Sequence, residues 1–438
     1  LREIKSSRLL VTAVCLFIIL SGITALALHS VQRHQEIFHD FRVFYTAGQM
    51  WAQGGNPYQP DLYAARFSEI NGYSSVFAVF YPPQTLVLFS LLTLLPLEQA
   101  HWMMFAANAL LLAASFALML AMLRRHIPIR IYEITFLVLL ICTSFGRTNL
   151  GNPQFGILIA ALLFSGFLLQ QNNRPILSGL AFAAISVKPS FLPLYAVYYL
   201  FTRNFKLAAA MIGGSAVLTL APVILSGRPL LQTLLDWLTT LRMQNLPGAI
   251  DSPDPASHLS VFMVNLEPLV YRVLGSQSTA GLVIFVAVSL ALLIFTGRLI
   301  RQSRPAPHVD LLDFALISAL SLLLVYHRNY DIFLLFPGLL YIYSHAQQNT
   351  AGRPRLIWHA FLALVLVILL APNEIVVQFA GRNPALWDNY FFRLISTYLG
   401  WTNVVVLAAL LWLKVQATLT NAVRAQVVTA NRQAESIR

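Results

Sequence analysis

The feature that most limits the fold of this chain is its recurrence of apolar runs. They occupy residues 9–28, 99–123, 131–145, 153–170, 175–187, 189–202, 206–226, 279–299, 311–326, 331–345, 356–371 and 401–415. Inside a bilayer no water is present to satisfy backbone N–H and C=O groups, so runs of this kind must satisfy their own as helices. Composition agrees: 58% of the 438 residues are hydrophobic and 11% charged, against about 25% charged in soluble domains. The sequence therefore predicts an all-α polytopic membrane protein forming one integral domain over residues 1–438.

The basic residues suggest how the runs are threaded. With the N-terminus inside, Arg2, Lys5, Arg8, Arg124, Arg125, Arg130, Arg174, Arg203, Lys206, Arg298, Arg301, Arg304, Arg353, Arg355 and the tail 416–438 all fall on the cytoplasmic side. That places about 17 of the 29 Lys and Arg where the positive-inside rule expects them. The arrangement needs twelve crossings with both termini cytoplasmic. It also makes 84–97, which follows Tyr81-Pro82-Pro83, a partial or tilted helix opening at its proline. Residues 9–28 exceed the length of a signal-peptide core, so the small-residue site at Ala25-Leu26-Ala27 is read as part of an uncleaved anchor.

Several function classes are disfavoured. The net charge of +12 is dispersed between spans rather than gathered on a soluble face, which argues against nucleic acid as a partner. Cys15 and Cys142 sit inside apolar runs without disulfide or metal spacing, and no metal or cofactor is expected. The chain carries no Walker A, GxSxG, HExxH or Rossmann motif, no Asp-x-Asp pair, no internal repeat and no appended soluble domain.

On this threading, the polar residues of an active site collect on the outer face. The first outer loop, 29–83, contains "FHDFRVFYTAGQMW". Asp40 falls at a helix start, followed by a stripe of Phe41, Phe44, Tyr45 and Trp51 suited to lying in the bilayer interface. A carboxylate beside aromatics at the surface is partly desolvated, which would raise its basicity and suit a general base. Further on, "GGNPY" reads as a turn, and Tyr58, Tyr81 and Trp51 read equally as interface-belt aromatics or substrate platforms. Lys188, in "SVKPS", is costly between apolar segments unless it meets an anion or water, and fits snorkelling or a phosphate ligand.

"VYHRNYDIF" places His327, Arg328, Tyr330 and Asp331 between two spans, a density of ionisable groups that favours function. Arg328 would complete a phosphate clamp with Lys188, and Asp331 would hold His327 or Arg328 in place. "FGRTNLGNPQFG" offers Arg147 together with Asn149, Asn152 and Gln154, whose amides fit either hydroxyl recognition or capping of a helix from Pro153. The long outer loop 227–278 adds His258 as a candidate ligand, while Asp251 and Asp254 read as turn residues.

An Asp soon after the first span, then "NPY", "YPP", a Gly/Asn/Gln segment and "KP", together resemble glycosyltransferase family 87. The resemblance covers most of residues 30–340 and implies a bundle of the GT-C class with about twelve transmembrane helices. It further implies an inverting enzyme of a bacterial inner membrane that takes a sugar from a polyprenyl-phosphate donor on the extracytoplasmic side. Mannose is favoured, with arabinofuranose as the alternative, and the acceptor is an envelope glycolipid or glycan. Position by position, Asp40 matches the expected base and Lys188 the basic residue near the lipid phosphate. His327 stands in the late His-containing motif and is expected to be catalytic with Asp40, and the family's Gly-Gln pair appears as Gly151-Asn152-Pro153-Gln154. Tyr45, Tyr58, Tyr81, Asn149, Gln154, His258, Tyr330 and Asp331 are expected to contact substrate, and the chain to be a monomer. The rival reading is a transporter or flippase of a lipid-linked saccharide, which the gathering of ionisable residues at one face disfavours.

Overall fold

The computed structural model describes residues 2–34, 39–74, 79–152, 154–244, 252–255, 257–302, 310–348 and 352–436. Its helices in chain order are α1 (Arg2–His34), α2 (His39–Ala52), α3 (Pro60–Asn71), α4 (Pro83–Leu92), α5 (Leu97–Arg124), α6 (Ile131–Ile141) and α7 (Ser144–Gly151). There follow α8 (Gly156–Gln171), α9 (Pro175–Ala184), α10 (Leu192–Phe201), α11 (Phe205–Leu225), α12 (Leu230–Gln244), α13 (Leu266–Leu274) and α14 (Thr279–Gln302). The chain closes with α15 (Leu311–Leu324), α16 (Phe336–Gln348), α17 (Arg353–Leu370), α18 (Asn373–Arg382), α19 (Tyr390–Ser396) and α20 (Tyr398–Ser436). Among the described residues no strand forms, and one isolated antiparallel bridge joins Met263 to Arg328.

Each of the twelve apolar runs forms helix, but their lengths do not establish twelve crossings. Among the described residues, six helices are long and apolar enough to span: Leu9–Arg33, Leu97–Arg124, Phe205–Leu225, Thr279–Gln302, Arg353–Leu370 and Tyr398–Thr420. A seventh span results if α6 and α7, bent by 49° at their junction, are taken together. The apolar helices α4, α8 and α15 have 10, 16 and 14 residues. At about 1.5 Å per residue they fall short of a hydrocarbon layer of about 30 Å.

Two kinds of helix can be separated by what surrounds them. On α1, Leu9, Leu10, Phe17 and Leu20 point outward and are more than half exposed, as suits a helix solvated by lipid. Helix α15 is buried from Leu311 to Leu323, including Asp313, Ser318 and Ser321. A helix apolar on every side belongs at the centre of a bundle, and α15 packs there against α16, α20 and α10. The ion pair between Asp313 and Lys414, 2.5 Å long and almost fully buried, ties α15 to α20.

Helix α2 departs from expectation. Asp40 does lie in its first turn, but Phe41, Phe44, Tyr45 and Trp51 are buried in protein and do not form an interfacial stripe. The reason is α4, which covers α2 at very short range. A Cβ on Gly48 would stand 2.6 Å from the backbone carbon of Phe89, so only glycine permits this approach. Phe44 then stacks on Phe89 with ring centroids 4.7 Å apart.

The two outer loops of the sequence reading meet each other. Arg228, just before α12, donates from Nη1 to the Gly55 carbonyl (2.6 Å) and from Nη2 to the Trp51 carbonyl (2.8 Å). Its guanidinium also lies 4.0 Å over the Trp51 ring. Asn56 donates to Asp236 at 2.7 Å, and Trp237 to the Phe80 carbonyl at 2.8 Å. The "GGNPY" turn is thus held on α12, and the segment entering "YPP" is fixed from the same side.

Candidate active site

The carboxylate of Asp40 is half-buried at the start of α2. Its Oδ2 accepts from Asn152 Nδ2 at 2.8 Å and from Gln154 Nε2 at 2.7 Å. Hydrogen bonds to an ionised group of this type contribute about 1.5–3 kcal/mol each. They fix the orientation of the carboxylate, and among the described residues nothing donates to Oδ1. The two amides therefore serve the acid rather than capping a helix. Pro153 lies outside the described residues, and α8 begins at Gly156 without a side-chain cap.

A second layer holds those amides. Tyr81 donates to Gln154 Oε1 at 3.4 Å, and Tyr58 donates to the Tyr81 carbonyl at 2.7 Å. Asn108, fully buried within α5, donates to the carbonyls of Asn149 (3.2 Å) and Gln154 (3.3 Å). Asn149 in turn donates to the Tyr330 carbonyl at 3.2 Å. Gly156 is required beside it, because a Cβ there would lie 2.4 Å from Asn149 Oδ1.

The cationic part of the site is built around Asp331, which is fully buried. Its Oδ2 receives Lys188 Nζ at 2.5 Å, His327 Nδ1 at 3.2 Å and the Arg328 backbone N–H at 3.2 Å. The expected restraint by Asp331 thus reaches both His327 and Arg328, and Lys188 besides. Lys188 Nζ lies 4.7 Å over the Tyr330 ring and 5.2 Å over the Phe191 ring. Aromatic faces stabilise a partly desolvated ammonium, and the side chain keeps 11% exposure. The Arg328 guanidinium is steadied by Nε donating to Tyr326 at 2.8 Å.

His327 is wholly enclosed, with Phe191 set edge-on at 4.5 Å. Burial pushes its imidazole below the ordinary value, against an opposing pull from Asp331. The folded chain therefore carries a neutral ring at neutral pH. That contribution to stability is fully present above the unfolded value of about 6.5 and is lost as pH falls below it. The unfolding midpoint in detergent should drop between about pH 7.5 and pH 5, and His327→Gln should flatten that slope. An undiminished slope in the variant would refute the assignment.

The two parts are joined by residues 81–85. Tyr81 reaches the Asp40 network, while Gln84 donates to the Ser186 carbonyl (2.8 Å) and Thr85 to the Val187 carbonyl (3.0 Å), directly before Lys188. The long loop contributes as well: Val264 N–H donates to the His327 carbonyl at 3.1 Å, beside the bridge between Met263 and Arg328.

Not every expected contact joins this network. Tyr45 donates to the Leu95 carbonyl at 2.8 Å and packs with Phe41 and Ala100. Tyr58, which is buried, joins it only indirectly, through the Tyr81 backbone carbonyl. The backbone of His258 opens a short 3-10 turn, His258–Phe262, but its side chain, like Asp251, lies outside those described. Sequence reasoning missed Asn108, Gln84 and Thr85. A polar residue inside the apolar run of α5 and the polar pair after "YPP" were the available signals.

The family model described as Glycosyltransferase family 87 matches residues 79–326. No curated protein and no solved structure matches the chain.

Proposed function

The chain belongs to glycosyltransferase family 87, whose model covers more than half of its length, and from that premise we propose an inverting transfer from a polyprenyl-phosphate sugar. The acceptor is a glycolipid or glycan hydroxyl on the extracytoplasmic face of a bacterial inner membrane, and mannose is the favoured sugar. The observation that carries the reading is the junction at residues 81–85, which couples a held carboxylate to a held ammonium. A transfer of this kind needs one group of each sign, on the acceptor side and on the leaving-group side.

Asp40 Oδ1 takes the proton of the acceptor hydroxyl as its oxygen attacks the anomeric carbon. The bond from that carbon to the phosphate oxygen breaks, and the phosphate leaves with an added negative charge. Lys188, oriented by Asp331, and Arg328, oriented by Tyr326, stabilise that charge as it localises. His327 acts through Asp331 as a positioning residue. Tyr330 and Tyr81 shape the space between the two centres, and α12 closes over the "GGNPY" turn to limit access of water.

Purified protein in liposomes given radiolabelled polyprenyl-phosphate mannose and a membrane glycolipid extract should transfer label to the acceptor. Leaflet exchange of the donor without transfer would overturn the enzymatic reading in favour of a flippase. Transfer of a pentose but not mannose would leave the chemistry and correct the sugar.

A further inference from the structure

A cavity of about 830 Å³ opens far from Asp40, where α1, α6, α16 and α17 come together. Its place in the bundle follows from the chain. The cavity takes in Arg130 at the start of α6, Gln348 at the end of α16 and Arg355 at the start of α17. The opposite end of α6 leads through α7 to Asn149, and the opposite end of α16 leads back to the 326–331 segment. The cavity and the candidate active site thus occupy opposite ends of the same helices.

The lining changes character along α6 and α17. On α17, Arg355 and His359 give way to Leu362, Ala363 and Leu366, all on one face at helical spacing. The change from cation to hydrocarbon is complete within about 16 Å of helix. On α6 the same order runs from Arg130 to Phe136 and Leu139. Among the described residues neither Arg130 nor Arg355 meets a carboxylate. Glu133, the acid in the cavity, is buried, with one oxygen taking the Arg130 backbone N–H (2.7 Å) and the other the Tyr343 hydroxyl (3.1 Å). Two guanidinium groups against one enclosed carboxylate leave the mouth positive. On α17, Leu356 and Ile357, beside Arg355, are among the most exposed apolar side chains, so the mouth borders an apolar outer face of the bundle.

We propose that this cavity holds one anionic phospholipid of the surrounding bilayer. Its phosphate lies between Arg130 and Arg355, and its acyl chain runs along Leu362, Leu366 and Phe136. A phosphate is the anion best matched by paired guanidinium groups, and a chain attached to it is what the apolar half accommodates. The bound lipid ties α6 to α17 at the end remote from Asp40. The assignment is independent of the transfer reaction.

Native mass spectrometry of the full chain, offered phosphatidylglycerol, phosphatidylcholine or a polyprenyl phosphate, tests it. The protein should retain a single phosphatidylglycerol about tenfold more tightly than phosphatidylcholine, equivalent to about 1.4 kcal/mol. Arg130→Gln/Arg355→Gln should abolish the preference, and Arg130→Lys/Arg355→Lys should keep most of it. Ala363→Trp should expel the lipid while leaving both charges in place, which decides the matter if the glutamine pair fails to fold. Equal retention of the two phospholipids, an unchanged preference in either the folded glutamine pair or Ala363→Trp, or retention of polyprenyl phosphate alone would each overturn the proposal.

Discussion

Asp40→Asn is expected to abolish sugar transfer while leaving the protein folded and able to bind donor. General-base catalysis of this type contributes about 10²- to 10⁴-fold, so turnover should fall by at least about 100-fold. The amide is isosteric, and its oxygen can still accept from Asn152 and Gln154, the partners seen at 2.8 and 2.7 Å. What it cannot do is take a proton from the attacking hydroxyl. Label transfer measured beside donor binding separates the two effects. Turnover near the wild-type level would remove Asp40 from the base role, whereas loss of donor binding would assign it to substrate positioning.

The second large effect is expected at the buried pair of Lys188 and Asp331. Removing one partner of a buried ion pair costs about 3–5 kcal/mol, because the other charge is left without compensation. Lys188→Met should therefore lower the unfolding midpoint sharply, since Asp331 is fully enclosed and would retain only His327 and a backbone N–H. The double variant Lys188→Met/Asp331→Asn removes both charges and should recover much of that stability. It should not recover donor binding or transfer, because the phosphate has lost its ammonium. Restored transfer in the double variant would make the pair purely structural. A stable Lys188→Met with normal donor affinity would remove both roles.

The apolar runs were legible because backbone satisfaction in lipid leaves helix as the one local solution, and each run is helical in the fold. The number of crossings was not legible in the same way. Composition does not say whether an apolar helix such as α8 or α15 meets lipid or protein, and α15 is apolar because the bundle encloses it. The aromatic stripe of α2 illustrates the same limit. Phe41, Phe44 and Tyr45 look the same in sequence whether they face headgroups or, as here, α4 and α5.

In the site, Asp40, Lys188 and the "YHRNYD" cluster stand out in the sequence because ionisable groups next to apolar spans are energetically expensive. Asn108, Gln84 and Thr85 do not stand out, since uncharged polar residues carry a smaller penalty and their partners are backbone carbonyls far away in the chain. The choice between capping and recognition for Asn152 and Gln154 was likewise open until their partner was seen.

By itself the sequence determined the helical membrane class and singled out Asp40, Lys188 and the "YHRNYD" cluster as candidates. The tertiary structure alone decided that Asp331 joins Lys188 to His327, that Asn152 and Gln154 grip Asp40, and that residues 81–85 couple the two centres. The physical reason is range. Backbone satisfaction and desolvation act residue by residue and leave their mark locally, whereas a hydrogen-bond partner 112 or 143 positions away is fixed only by how the helices pack.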